Sequence, residues 1–184
     1  MREVIITTSK LEKELSSKMP LSTLETPQSI NVIEQHTSKE QVSTTLKEVL
    51  HNATGLVRLW ESTGLGVTGG EYYSMRGFVF QPYLLNGMAS YNNGSIDIAN
   101  IEQVEVVKGP NAPLYNGSVI SYGGLINFIT KKTYENFGGD VTYTLGSNNL
   151  HRATIDINIP IHKNVFLCLN AANHKKISEH SLLH

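Results

Sequence analysis

The segment "GDVTYTLGSNNLHRATIDINIPIHKNVFLCLNAANHKK", from residue 139 onward, constrains the fold most. It divides into three alternating runs of roughly ten residues, the length of a tilted strand that crosses a bilayer. "GSNN" and "PIHKN" separate the runs as turns. Val141, Tyr143 and Leu145 oppose Thr142 and Thr144; Ile155, Ile157 and Ile159 oppose Asp156 and Asn158. A sheet with one apolar and one polar face follows, with 140–146 pairing with about 151–159 and that strand with about 164–173. Such alternation suits either a membrane β-barrel or a soluble meander. Three strands alone cannot close a barrel.

Upstream stands a second β signal, "IEQVEVVKGPNAPLYNGSVISYGGLINFITKK" at residues 101–132. Its two strands lie near 101–108 and 124–131, in one sheet, with Val104 and Val106 on the face opposite Glu105. Gly109 and Pro110 turn the chain out of the first strand, and Gly123 and Gly124 let backbone approach backbone on re-entry. The intervening loop is too long for a tight hairpin.

The remaining elements are shorter. "QSINVIEQH" predicts a strand with Ile30 and Val32 turned to a core. Ser38 with Gln41 has the form of a capping box, and Val42, Leu46, Val49 and Leu50 make one apolar stripe. A helix over about 39–52 is expected, ended by Asn52 and a left-handed Gly55. Residues 61–75 read as loop, and "FQPYLLNGM" as a strand entering a turn at Asn86-Gly87. The expected core includes Leu46, Leu50, Val104, Val106, Ile126 and Phe128.

Composition removes several functions. The net charge of −1 gives no electrostatic case for nucleic acid. One cysteine, Cys168, excludes an internal disulfide. "MREVIITTSK" lacks an apolar run and a cleavage site, so no signal peptide is expected in this chain. "GLGVTG" (Gly64 to Gly69) neither leaves a hydrophobic strand nor opens a helix, and reads as a loop, not a dinucleotide site. His174 and His180 lack metal-ligand spacing, and no G-x-S-x-G elbow exists. Neither an active site nor a resident cofactor is expected.

Taken together, "TPQSINVIEQ", "LKEVLHNATG", "SMRGF", "YLLNGM" and "IEQVEVVKGPNAPLY" with "GGLINFITKK" resemble, in this order, the TonB-dependent outer-membrane receptors of the ferric-siderophore type. The resemblance implies an α+β plug domain, a mixed sheet with short helices, followed by the first antiparallel strands of a truncated transmembrane β-barrel. Its divisions are a TonB-box-like segment at 1–8, a linker at 9–26, the plug at 27–133 and three barrel strands at 139–184. The linker is too polar to order itself.

Further implications are location in the outer membrane of a Gram-negative bacterium, a ferric siderophore as ligand, and a TonB-type energy-transducing partner. Iron enters only inside the chelate. Ligand would meet the plug apex, with Arg76, Gln81 and Tyr91 as candidate contacts; Arg76 alternatively pins its own loop. Glu3, Val4, Ile5, Ile6, Thr7 and Thr8 resemble the TonB box, and would otherwise be an ordinary edge strand. Glu102, Glu105 and Lys108 face either barrel charges or solvent. "NGSVISY" is about two residues longer and more apolar than the family's usual link. The chain is read as incomplete and not transport-competent alone; a soluble plug-like binding or signalling module is the alternative.

Overall fold

The computed structural model describes residues 29–61, 70–81, 84–89, 96–110, 121–162 and 165–175. The TonB-box-like segment, the linker, "GLGVTG" and Tyr91 lie outside them.

Strands β7 (Ile101–Lys108) and β8 (Gly124–Thr130) are the centre of the molecule and pair antiparallel, Val106 opposite Ile126. β1 (Ser29–Glu34) adds antiparallel to β7. β5 (Leu84–Leu85) adds parallel to β8 and turns back into β6 (Met88–Ala89), so the five-stranded sheet is mixed, in the order β1-β7-β8-β5-β6. The expected strands are present almost to the residue.

Both glycine pairs act as the sequence demands. Gly109 has φ +115° and its N–H donates to the Gly123 carbonyl at 3.0 Å, closing the base of the long loop. A Cβ on Gly123 would sit 2.6 Å from the Met75 carbonyl oxygen, so only glycine fits there. The Asn86-Gly87 turn has φ +51° and +72°, the left-handed pair that a two-residue hairpin needs.

All six expected core residues are buried, with Val106, Ile126 and Phe128 at 0% exposure. Each contributes about 1.5–3 kcal/mol on burial. In β1, however, the core residue is Ile33, not Ile30 or Val32. Gln103 and Val104 of β7 oppose Glu34 and Ile33, so the register of β7 decides which parity of β1 faces inward.

The single helix over 39–52 is also corrected. Two short helices replace it, α1 (Gln35–Glu40) and α2 (Leu46–Leu50). Val42 between them has φ +52° and is exposed, so it leaves the apolar stripe. Ser38 lies buried within α1, and the working capping box is Thr45 with Glu48. Leu46, Val49 and Leu50 still reach the core, and Gly55 is left-handed at φ +76°.

Residues 61–75 are not wholly loop. β2 (Leu56–Trp60), β3 (Tyr72–Met75) and β4 (Phe78–Phe80) form a three-stranded antiparallel sheet whose Tyr73, Met75 and Phe80 close the core. Its other face leaves Val57 and Val79 exposed. Tyr73 donates a 2.5 Å hydrogen bond to the buried Glu71 carboxylate. Burial, then that bond, pushes the phenol far above its ordinary range.

The third sheet is the meander: β9 (Gly138–Gly146), β10 (Leu150–His162) and β11 (Val165–Lys175). Val141 opposes Ile155, Ile157 opposes Leu169, and Asp156 lies between Asp140 and Asn170. The faces segregate as expected. Val141, Tyr143, Leu145, Ile155, Leu167 and Leu169 are exposed, whereas Asp156 and Asn158 turn toward the rest of the molecule.

Candidate functional site

"SMRGF" is the β3–β4 hairpin, with Met75 opposite Phe78 and only Arg76 and Gly77 in the turn. Both have positive φ, +53° and +82°. A glycine adopts that conformation freely; an arginine does so at a cost, which makes Arg76 a position of interest. Arg76 is exposed. Its guanidinium lies 3.5 Å from where a Cβ of Gly109 would be, at the neck of the β7–β8 loop. Among the described residues no carboxylate pairs with it.

The rings of Phe78 and Tyr122 lie tilted against each other beside this turn with centroids 6.0 Å apart, and both are at least half exposed. Gln81 follows β4 and is half-buried. Tyr91 lies outside the described residues.

Lys108 donates a 2.7 Å bond to the Thr54 hydroxyl. Glu105 departs from both expectations for it, since it faces neither wall charges nor solvent. It is 1% exposed in the middle of β7. Asn127 and Gln103 each donate an amide N–H to its carboxylate at 2.9 Å. Asn127 in turn accepts from the Gly87 N–H at 2.9 Å, tying the Asn86-Gly87 turn to β8. Burial raises the Glu105 pKa, and the two amide bonds oppose that only in part.

At the other end of the five-stranded sheet, sequence reasoning missed a set of ionic contacts. Asp97 precedes the 3-10 turn Ile98–Asn100 and caps it through the Ala99 N–H. Arg152 of β10 grips Asp97 with two bonds, 2.5 and 3.0 Å. Burial pushes the Asp97 pKa up, but the Arg152 bonds, the Ala99 N–H and the Arg152 charge outweigh it and hold it low. Lys131, just past β8, meets Asp156 of β10 at 2.6 Å, and Lys39 of α1 meets Asp140 of β9 at 2.5 Å. Asn158 donates to the carbonyls of Tyr134 and Asn136, both at 2.7 Å. The partners lie 22 to 101 residues apart in the chain, and polar residues on alternating strands were the one available signal. The contacts border a cavity of about 260 Å³ between α1, β7 and β9–β10, lined by Ile33, Val104, Thr142 and Thr154 among others.

Among the described residues no three His, Cys, Asp or Glu side chains converge as metal ligands. The fold is therefore read by comparison. A family model, the TonB-dependent Receptor Plug Domain, matches residues 22–121, more than half the chain. The chain belongs to this family. The plug sheet itself runs further, since β8 lies beyond the matched residues.

Among curated relatives, the catecholate siderophore receptor Fiu of Escherichia coli K12 is 30% identical over 152 residues, covering 82% of this chain and 20% of Fiu. The ferrioxamine B receptor of Salmonella typhimurium LT2 is 29% identical over 172 residues, covering 88% of this chain and 24% of that receptor. Among solved structures, the ferripyoverdine receptor of the outer membrane of Pseudomonas aeruginosa, bound to ferripyoverdine, superposes with a TM-score of 0.74 at 26% identity. That match covers 88% of this chain and 22% of the receptor. The chain thus spans 20% to 24% of the curated relatives' length.

Proposed function

We propose that residues 27–133 are the plug and 139–184 the first wall strands of an outer-membrane receptor that takes up a ferric siderophore. The observation that carries this reading is the union of a plug-family sheet with a meander whose polar face docks on it. The meander's other face is apolar, with Val141 74% and Leu145 65% exposed, as a lipid-facing wall requires. A soluble module would have no use for that face.

In this reading the siderophore binds on the side of the plug turned outward. Arg76 offers several fixed N–H donors to the oxygen-rich rim of a chelate, and the iron arrives within the ligand. Gln81 and Tyr91 are further contacts. Energy comes from a TonB-type periplasmic protein, to whose sheet edge Glu3 to Thr8 add as a strand.

Two substitutions in the full-length receptor test it. Arg76→Ala weakens siderophore binding by roughly 1.5–3 kcal/mol, the range for a hydrogen bond to a charged group. Ile5→Pro abolishes uptake and spares binding, because proline removes a donor from the added strand. A full-length protein that binds no ferric siderophore overturns the reading.

A second role for Arg76 is favoured by its surroundings. Phe78, Val79 and Tyr122 are 50%, 60% and 66% exposed around it. Apolar surface of that kind is normally covered in a finished assembly. If the rest of the wall covers it, Arg76 pairs with a wall carboxylate. Arg76→Ala then lowers stability and leaves affinity unchanged.

A further inference from the structure

One end of the plug sheet is held to the first wall strands by charge, and that bears on how a ligand gets past. At the end where β8 leaves the plug, three separate plug elements each place a charge against β9 or β10. They are α1 through Lys39, the turn before β7 through Asp97, and the exit of β8 through Lys131. Two of the cations are nearly dry: the Arg152 side chain is 6% and that of Lys131 12% exposed. Their carboxylate partners are wetter, Asp97 at 47% and Asp156 at 27%, but pulling either pair apart still leaves a buried cation unpaired, which is costly. The connecting chain is itself tied down, through the Asn158 bonds to Tyr134 and Asn136.

The space inside this seam is also small. Its cavity of about 260 Å³ falls below the roughly 300–1,000 Å³ of pockets that enclose a drug-sized ligand.

We infer that the seam between the exit end of the plug and β9–β10 is a permanent fastening. The plug's exit end and the first wall strands move as one body, and any passage for ligand opens on another flank. The fastening is a property of this chain; its meaning for uptake rests on the receptor reading.

The test has two arms. In the full 184-residue chain held in detergent, amide exchange over residues 138–162 is compared in Asp97→Arg, in Arg152→Asp and in the double charge swap. Each single change is expected to speed exchange at least tenfold, and the swap to restore protection. Unchanged exchange in the single variants, or no rescue by the swap, overturns the fastening. The second arm uses the complete receptor with Cys168→Ser, Lys131→Cys and Asp156→Cys, bridged by a short bis-maleimide. Uptake is expected to continue when bridged. Uptake that stops while siderophore binding persists overturns the inference. A wild-type receptor that takes up no siderophore refutes the functional reading instead, and the exchange arm still decides the fastening.

Discussion

β7 and β10 are both antiparallel strands that alternate apolar and polar residues, and the structure treats their polar residues differently. In β7 the polar face is sealed: Glu105 is 1% exposed and is met only by neutral amides. In β10 the polar face is docked: Asp156 meets the Lys131 cation and Asn158 holds the incoming chain. The apolar faces differ more. Those of β7 and β8 are closed by α2 and the β2–β4 sheet, while Val141 and Ile155 of the meander are exposed. Alternation therefore tells which residues share a face; it does not tell what covers that face.

The sharpest way to break this contrast is to separate the two regions. The uncovered face of β9–β11 and the free edge of β11 invite association in water. The 184-residue chain is expected to aggregate or need detergent, and a chain ending at Lys132 to sediment as a soluble monomer. A full chain that stays monodisperse without detergent would show that the meander belongs to a soluble fold.

Next in size is a pair of truncations, one on each side of the contrast. Phe128 is 0% exposed, and Phe128→Ala should cost about 3–5 kcal/mol, from lost transfer energy plus a cavity. Val141 is 74% exposed, and Val141→Ala should change the stability of the detergent-held chain by at most about 0.5 kcal/mol. Denaturant midpoints of both variants give the comparison. Equal effects would mean that the meander packs an apolar core of its own.

The carboxylates sharpen it further, because two of them respond to pH in opposite senses. Glu105 has a raised pKa when folded, chiefly from burial. Its contribution is complete below the unfolded value of about 4.3 and is lost as pH rises through the folded value. Asp97 has a lowered pKa: burial works against the shift, and the Arg152 bonds and charge prevail. Its contribution is present above about 3.9 and is lost as pH falls through the folded value. Glu105→Gln should flatten the stability profile on the alkaline side of 4.3, and Asp97→Asn on the acid side of 3.9. Urea midpoints across pH read both, and a single variant that flattened both limbs would refute the assignment.

What could be read from the sequence follows the range of the interaction responsible. The β7–β8 pair, the meander, the Asn86-Gly87 turn and the glycines at 109, 123 and 124 were legible because local chemistry decides them. β2 and β3 were not, since "LVRLW" and "YYSM" are short and gain their order only when Tyr73 and Met75 are buried in the core. The seam was legible in half. Alternation put Asp156 and Asn158 on the inner face, but that Lys131 and Asp97 face this side of the wall depends on how two sheets dock. Arg76 could be singled out by its motif, yet its left-handed turn was not foreseen, because arginine carries no preference for that conformation.

The smallest effect concerns the helix that the sequence misplaced. A three-residue spacing from Ser or Thr to Gln or Glu occurs at Ser38-Gln41 and again, nearer the helix that forms, at Thr45-Glu48. The second won because Thr45 has extended backbone, φ −130° and ψ 152°, with its side chain accepting from the Glu48 N–H while Glu48 reaches back. Ser38 lies inside α1, where it caps nothing. Thr45→Ala should therefore cost about 1 kcal/mol, within the usual 0.5–2 for a lost cap. Ser38→Ala should be near neutral, since alanine is the better helix former. Equilibrium unfolding of the two variants side by side measures the difference. A larger loss at Ser38 would mean that α1 and α2 act as one continuous helix in solution, and that the left-handed Val42 between them does not persist.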